Sequence, residues 1–197
     1  YGKCPGCLMF CFDIETLGVE SNAVILSAGI IYWNPTENFD YDELLRRGLY
    51  VKFSADAQIK MGRTVDKGTV EWWSKQGEVQ RKLALSRNPD DLSPEEGLRR
   101  LRQYYLDTRK DDTNRIIWTR GSLDQVCIDS LSRAVRVEDV GPYNVYRDVR
   151  TSIDLLCESA RSGYCEVDHP SFSWDRVIKH HPVHDCAADI MMMRYGK

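Results

Sequence analysis

The chain has 197 residues, 42% of them hydrophobic, and a formal net charge of −3 at pH 7. This size and composition favour a single domain over residues 1–197 with a full hydrophobic core. No apolar run approaches the ~20 residues that span a bilayer, so we expect no membrane association. The acidic balance argues against a protein that only coats nucleic acid. It does not exclude an enzyme that acts on nucleic acid, because acidic side chains can be metal ligands.

The cysteines favour a reducing compartment. Their number is odd, seven, and their spacings form no disulfide framework. Together with a start that lacks the pattern of a secretory signal, this predicts a cytoplasmic protein. Cys4 and Cys7 form a CxxC pair, for which half of a zinc site or a redox pair are alternatives to a turn. The sequence has no second CxxC, which favours the turn, and residues 1–7 are expected to lie outside the core of the fold.

The first element is a strand that ends in two carboxylates. Leu8 to Phe12 is an apolar run typical of a buried strand, and Asp13 and Glu15 follow it. Residues two apart in a strand point to the same face, so both acids face one place, where their charges repel. A bound Mg²⁺ or Mn²⁺ would relieve that repulsion. The alternative is a strand end that runs into a polar turn.

Two more strands follow. The β-branched and aromatic residues from Val24 to Trp33 predict a long strand, which Asn34-Pro35 ends with turn chemistry. The alternation at Leu49 to Phe53 predicts a third strand, and three strands in succession favour an antiparallel meander. Residues 54–68 have no strong periodicity, and we expect a loop there.

Helices are predicted in the middle of the chain. We expect a short helix over Thr69–Gln76 and another over Glu78–Ser86. Ser93-Pro94 is a helix start, because Ser caps, Pro suits the first turn and Glu96 completes a capping box. That helix is expected to reach about Arg109. Its predicted buried stripe consists of Leu98, Leu101, Tyr105 and Leu106.

The second half alternates strands and helices. We expect strands over Arg115–Thr119 and Val145–Val149, and helices over Leu123–Val135 and Thr151–Ala160. A last helix is expected from near His184 to about Tyr195. A meander followed by this alternation predicts an α/β fold, with a mixed central sheet flanked by helices.

Three later residues could join Asp13 and Glu15. Asp124 follows a strand across a small-residue turn, where sites are often placed, although an acid in the first turn of a helix is the simpler interpretation. His184 and Asp189 lie five apart, and they can converge only if His184 sits at the cap, outside the helix. Asp185 lies four before Asp189 and is a rival ligand. A capped helix with two surface acids is the remaining alternative.

The order of these residues resembles a known family. Asp13, Glu15, Asp124, His184 and Asp189 stand as in the DEDD exonucleases with a histidine five residues before the last aspartate, the DEDDh group. Three further blocks resemble the bacteriophage exonuclease A (DexA) type of exodeoxyribonuclease, from about residue 9 to 195. The blocks are Glu71-Trp72-Trp73, Arg147-Asp148-Val149-Arg150-Thr151 and Val183-His184-Asp185-Cys186-Ala187-Ala188-Asp189-Ile190.

The resemblance implies a ribonuclease-H-like fold and 3′–5′ exonuclease activity on single-stranded nucleic acid, with DNA preferred. Two Mg²⁺ ions, or Mn²⁺, would be held by Asp13, Glu15, Asp124 and Asp189, and His184 would be the general base. An exoribonuclease of the same fold is the close alternative, and an inactive nucleic-acid-binding module is a remote one. If the protein is viral, the compartment would be the host cytoplasm.

Five residues near these motifs are expected to contact substrate, namely Thr16, Trp72, Trp73, Arg120 and Arg150. Neighbours on a helix point ~100° apart, so one of the two tryptophans can face outward and stack on a base while the other packs. Packing of both is the alternative. Either arginine could hold a phosphate through its forked donors, or could form a salt bridge to an acid such as Asp148.

Overall fold

The computed structural model describes residues 8–109 and 116–197, and within them a five-stranded mixed sheet in the order β3-β2-β1-β4-β5. The strands are β1 (Met9–Thr16), β2 (Ile25–Trp33), β3 (Leu49–Lys52), β4 (Ile117–Thr119) and β5 (Tyr146–Asp148). β2 runs antiparallel to β1 and β3, whereas β4 is parallel to β1 and β5 is parallel to β4. The predicted mixed sheet, a meander followed by parallel strands, is confirmed. The single domain and the role of Cys4 and Cys7 stay predictions, the latter outside the described residues.

Helices cover both faces of the sheet. They are α1 (Tyr41–Arg47), α2 (Ala55–Lys60), α3 (Lys67–Ser74), α4 (Glu78–Leu85), α5 (Pro94–Thr108), α6 (Leu123–Val135), α7 (Val149–Leu156) and α8 (Pro182–Tyr195), with a 3₁₀ turn at Trp174–Arg176. Ser93 caps α5 as predicted, because its hydroxyl accepts the backbone N–H of Glu96 at 3.2 Å. Among the described residues, none of the helices combines the length and hydropathy of a membrane span.

Two short helices and several boundaries differ from the predictions; α7, for example, spans Val149–Leu156 rather than Thr151–Ala160. The loop expected over residues 54–68 is wrong, because Ser54 caps α2 by accepting the backbone N–H of Ala57 at 3.2 Å. α1 was not predicted, although Asp40 caps it by accepting the N–H of Glu43 at 2.6 Å. α8 begins at Pro182 rather than near His184, since proline suits the first turn of a helix.

Strand alternation decides what lies on each face. Phe10 and Phe12 point into a core that α5 and α6 cover. Cys11 points to the opposite face, into a core that includes α7 and α8. Asp13 and Glu15 lie two and four residues after Cys11 in the strand. Their side chains therefore point to the same face as that of Cys11, towards α8.

Close packing of α8 on the sheet depends on Gly29. This residue pairs with Asp13 in the antiparallel register. A Cβ atom at Gly29 would lie 2.7 Å from the backbone of both Pro182 and Val183. The first turn of α8 can therefore approach the strand directly beside Asp13 only because this residue has no side chain.

Candidate active site

Three carboxylates, one buried and two half-buried, meet at one end of the sheet. Asp13 and Glu15 come from β1, and Asp124 comes from the first turn of α6, directly after β4. Burial, followed by the charges of Asp124 and Glu15, raises the pKa of Asp13 well above its usual value. Burial also raises the pKa of Asp124. The structure thus brings together these three predicted residues in an arrangement of like charges that repel each other.

A fourth carboxylate, Asp185, approaches from α8. Ligand atoms of Glu15, Asp185 and His180 all lie within 4.8 Å of one another. Burial and the charge of Glu15 raise the pKa of Asp185 to about 7. Asp185 was considered from the sequence only as a rival of Asp189, whereas here it faces Glu15.

His180 is the histidine that lines the carboxylate pocket. It lies outside α8 with a positive φ of 61°, an uncommon conformation for a residue other than glycine. Its Nδ1 atom is 3.7 Å from Oε1 of Glu15, and its ring packs edge-on against Trp72 with centroids 4.8 Å apart. The contact with Glu15 raises the pKa of His180. His180 was not predicted as a site residue.

His184 lies elsewhere. Because α8 starts at Pro182, His184 is inside the helix rather than at its cap, so the predicted position outside the helix is wrong. Its Nδ1 atom is 3.0 Å from the hydroxyl of Tyr41 and 3.3 Å from the backbone N–H of Ile178. The structure does not place His184 in the lining of the carboxylate pocket. Its role as general base stays a prediction.

Asp189 lines the same pocket but has a cationic partner. Nε of Arg120 donates to Oδ1 of Asp189 at 3.1 Å, and a second guanidinium nitrogen forms a very short contact with the same carboxylate. The third nitrogen of Arg120 donates to the carbonyl of Gly163 at 3.0 Å. Arg120 is therefore held by a buried ion pair in this structure, and Asp189 is neutralised by the protein itself.

The spacing in the sequence explains the ambiguity. His180 precedes Asp185 by five residues, as His184 precedes Asp189, so the His-x4-Asp pattern occurs twice in one segment. In the first copy the histidine lies before the helix, which the geometry requires if both side chains are to converge. That signal was present in the sequence, but only the start of α8 distinguishes the two copies.

A second pocket adjoins the first through Glu15. The carboxylate pocket has a volume of about 270 Å³, and the neighbouring one of about 390 Å³ is lined by Thr16, Trp72 and Trp73, among others. Trp73 is 1% exposed and donates from Nε1 to the carbonyl of Thr16 at 2.9 Å, so it packs. Trp72 is 42% exposed. Trp73 thus packs in the core and Trp72 faces outward, as their adjacent positions on a helix allow.

Arg150 also lines the carboxylate pocket. Asp148 caps α7 by accepting the N–H of Thr151 at 2.7 Å and also accepts the N–H of Gly121 at 2.8 Å. The alternative of a salt bridge to an acid is confirmed for Arg120, but the acid is Asp189 rather than Asp148. Arg150 forms no ion pair within residues 8–109 and 116–197.

Comparison with known proteins gives the family. Residues 9–196 match the family model of the 3′-5′ exoribonuclease Rv2179c-like domain. An exodeoxyribonuclease of Enterobacteria phage T4 is 29% identical over 203 residues, covering 95% of this chain and 88% of the relative. The crystal structure of the nuclease domain of 3′hExo, a DEDDh family member bound to rAMP, is similar with a TM-score of 0.56 and 9% identity, covering 95% of this chain and 90% of that one.

The fold is thus that of a DEDDh nuclease domain, as the resemblance drawn from the sequence implied. More narrowly, the chain belongs to the Rv2179c-like family of 3′-5′ exoribonuclease domains. The resemblance drawn from the sequence implied divalent metal ions at this site.

The residues present fit such a metal. Oδ2 of Asp13 and Oδ2 of Asp124 are buried and have no hydrogen-bond partner in the described part of the chain. Buried carboxylate oxygens without partners are costly, and hard divalent cations prefer oxygen ligands. The site therefore has the donor set and the excess negative charge that divalent cations neutralise.

Proposed function

We propose that this protein removes nucleotides from the 3′ end of single-stranded DNA, using Mg²⁺ with Mn²⁺ as a substitute. The observation that carries the proposal is the convergence of Asp13, Glu15, Asp185 and His180 in the lining of one pocket, with the charge of Asp124 acting on Asp13. DNA is favoured because the phage relative is an exodeoxyribonuclease. RNA is the second candidate, because the matching family model is named for an exoribonuclease domain.

Two cations are expected on the four carboxylates Asp13, Glu15, Asp124 and Asp185. When bound, they would neutralise phosphate charge, favour ionisation of a water molecule and stabilise the leaving oxygen. The charges of Asp124 and Glu15 both act on Asp13, so Asp13 would hold the cations together with these two residues. Asp189, which the sequence predicted as the fourth ligand, is in this proposal the partner of Arg120.

His180 is the proposed general base. Its Nδ1 atom faces Glu15, so a proton on Nδ1 leaves Nε2 free to accept one from the attacking water. The water oxygen forms a bond to phosphorus, and the bond to the 3′ oxygen of the preceding nucleotide breaks. The products are a nucleoside 5′-monophosphate and a strand one nucleotide shorter with a 3′-hydroxyl.

The terminal nucleoside is expected in the pocket beside Trp72 and Thr16. Trp72 is exposed there and can stack on the base, whereas Trp73 supports the wall from within. Arg150, which has no ion-pair partner in the described residues, is the proposed phosphate contact. Arg120 is already held by Asp189, so any contact of Arg120 with phosphate would be made by its remaining donors.

The test is an assay with matched single-stranded DNA and RNA labelled at the 5′ end. The expected result is a ladder that shortens from the 3′ end with Mg²⁺, stops with EDTA and runs faster on DNA. Faster degradation of RNA would select the second candidate. Binding of either strand without metal-dependent shortening would reject the enzyme and leave the inactive binding module.

A further inference from the structure

We propose that Tyr164 and Trp174 form a stacking platform for the nucleobase directly 5′ of the scissile phosphate. This inference rests on the proposed exonuclease activity and adds a subsite to it. Both side chains line the carboxylate pocket on the side of Arg120 and Arg150. The class of ligand is a nucleotide within a single strand, with its base on the two rings and its phosphate near Arg150.

Exposure of the aromatic rings supports this assignment. In the part of the chain that the structure describes, four tyrosine or tryptophan side chains are classed as exposed, namely Trp72, Tyr143, Tyr164 and Trp174. Trp72 lines one of the two adjoining pockets, Tyr164 and Trp174 line the other, and Tyr143 lines neither. Exposed aromatic rings at the rim of a nuclease pocket are suited to stack on bases, whatever the sequence.

The two rings are held in place before substrate arrives. They lie 6.3 Å apart at an angle of 57°, and Phe172 supports Trp174 edge-on at 5.2 Å. Tyr164 is fixed at its backbone, which exchanges hydrogen bonds with Arg161 at 2.7 and 3.2 Å. The guanidinium of Arg120 lies 4.3 Å from the centre of the Tyr164 ring, a cation–π contact. Pre-organised rings lose little conformational entropy on binding a base.

The positive charge in the pocket lining indicates in which direction the nucleic-acid strand runs. The two pockets share only Glu15 in their linings, so the catalytic acids lie between Trp72 on one side and the Tyr164–Trp174 platform on the other. Beyond the scissile phosphate, the terminal nucleoside carries only a free 3′-hydroxyl, whereas the preceding strand carries further phosphates. Arg150, whose charge is not taken up by an ion pair in the described residues, lines the pocket on the platform side, and phosphates are therefore favoured there. The preceding nucleotide is consequently placed on the platform.

The experiment combines ring removal with base removal. Trp174→Ala and Tyr164→Ala are compared with the wild type on a single strand that has all its bases and on one with an abasic residue at the penultimate position. Tyr143→Ala is the matched control, because it removes an exposed ring outside both pockets. Trp174→Phe and Tyr164→Phe keep a ring. Melting temperatures verify that each variant is folded.

On the intact strand we expect Trp174→Ala and Tyr164→Ala each to raise KM by about tenfold with little change in kcat, in the range of one lost base–aromatic stack. On the penultimate abasic strand, the wild type should lose the same factor and the alanine variants should lose nothing further. The phenylalanine variants should retain most of the affinity, and Tyr143→Ala should match the wild type.

An equal loss for the alanine variants on both strands would overturn the subsite, as would no loss on either. If the wild type degrades neither DNA nor RNA, the proposed function fails but the subsite is still tested. Binding of the same two strands, measured by fluorescence anisotropy in EDTA, should then show the same pattern in Kd, and absence of that pattern would overturn the subsite independently.

Discussion

Arg120 holds Asp189 through a buried ion pair, with Nε 3.1 Å from Oδ1, whereas one helical turn earlier Asp185 has no arginine partner among the described residues and faces Glu15. The two acids lie on one side of α8, yet their surroundings differ. Asp185 lies against Glu15 and His180, whereas the charge of Asp189 is balanced directly by Arg120. This difference leads us to place the metal on Asp185 and a supporting role on Asp189.

Asparagine at each of these two positions separates the roles. Asp185→Asn removes a proposed metal ligand, so metal affinity and turnover should both fall by more than 100-fold. Asp189→Asn only frees Arg120. The loss of metal affinity and turnover should therefore stay within about 10–100-fold, as is typical of groups that hydrogen-bond to metal ligands without binding the metal. Calorimetric Mg²⁺ titration together with single-turnover rates measures both effects. If Asp189→Asn abolishes metal binding and Asp185→Asn does not, the assignment reverses.

Alanine at the two histidines locates the general base. His180→Ala should reduce the rate by about 10²–10⁴-fold with little effect on metal binding, since it removes proton transfer alone. His184→Ala removes a contact to Tyr41 outside the pocket, so it should change stability more than rate. Single-turnover rates at saturating Mg²⁺ and melting temperatures distinguish them. A large rate loss in a well-folded His184→Ala, with His180→Ala fully active, would support the original sequence prediction instead.

The two tryptophans should respond in opposite ways. Trp72→Ala should weaken substrate binding by ~1–3 kcal/mol, because an exposed ring that stacks on the terminal base is lost. Trp73→Ala should cost about 3–5 kcal/mol of unfolding free energy, because it leaves a cavity in the core. KM and denaturant titrations measure these quantities. Unchanged KM in a folded Trp72→Ala would leave that residue with a packing role only.

Asp129 gives a prediction on pH dependence away from the active site. Burial, followed by the charge of Asp139, raises the pKa of Asp129 to about 6 in the folded protein. The folded state therefore keeps a proton that the unfolded chain releases near its ordinary pKa of ~3.9, and stability falls as the pH rises between these values.

Asn at position 129 cannot ionise, so Asp129→Asn should melt a few degrees above the wild type at pH 7.5. Each kcal/mol of added unfolding free energy corresponds to about 2–4 °C. The difference should vanish near pH 4. Thermal melts of both proteins across this pH range provide the measurement. A difference that is constant with pH would show that titration of Asp129 is not its cause.

Local patterns were enough to predict much of the fold. The apolar run before Asp13 and the alternation that puts Asp13 and Glu15 on one face are properties of a single strand, and α6 occupies its predicted range of Leu123–Val135. α1 and α2 were missed because they are only 7 and 6 residues long, too short for a clear apolar period. Their caps, Asp40 and Ser54, were the available signals.

The assignment on α8 could not be made from spacing alone. Two copies of His-x4-Asp overlap, and the resemblance was drawn on the second copy, His184 and Asp189, alone. What separates them is tertiary structure: the helix starts at Pro182, and Gly29 lets that start approach the sheet beside Asp13. The ion pair between Arg120 and Asp189 joins residues 69 positions apart, and no local pattern predicts such a contact.

The most direct test of the account is the Mg²⁺-dependent turnover of Asp13→Asn on single-stranded DNA. The substitution removes a central charge without changing volume, and it reduces repulsion among the buried carboxylates. We predict a folded protein with a melting temperature in EDTA at least as high as the wild type, and no shortening of the strand above the EDTA background. Mg²⁺-dependent shortening at a rate close to the wild type would contradict the proposed metal-dependent site.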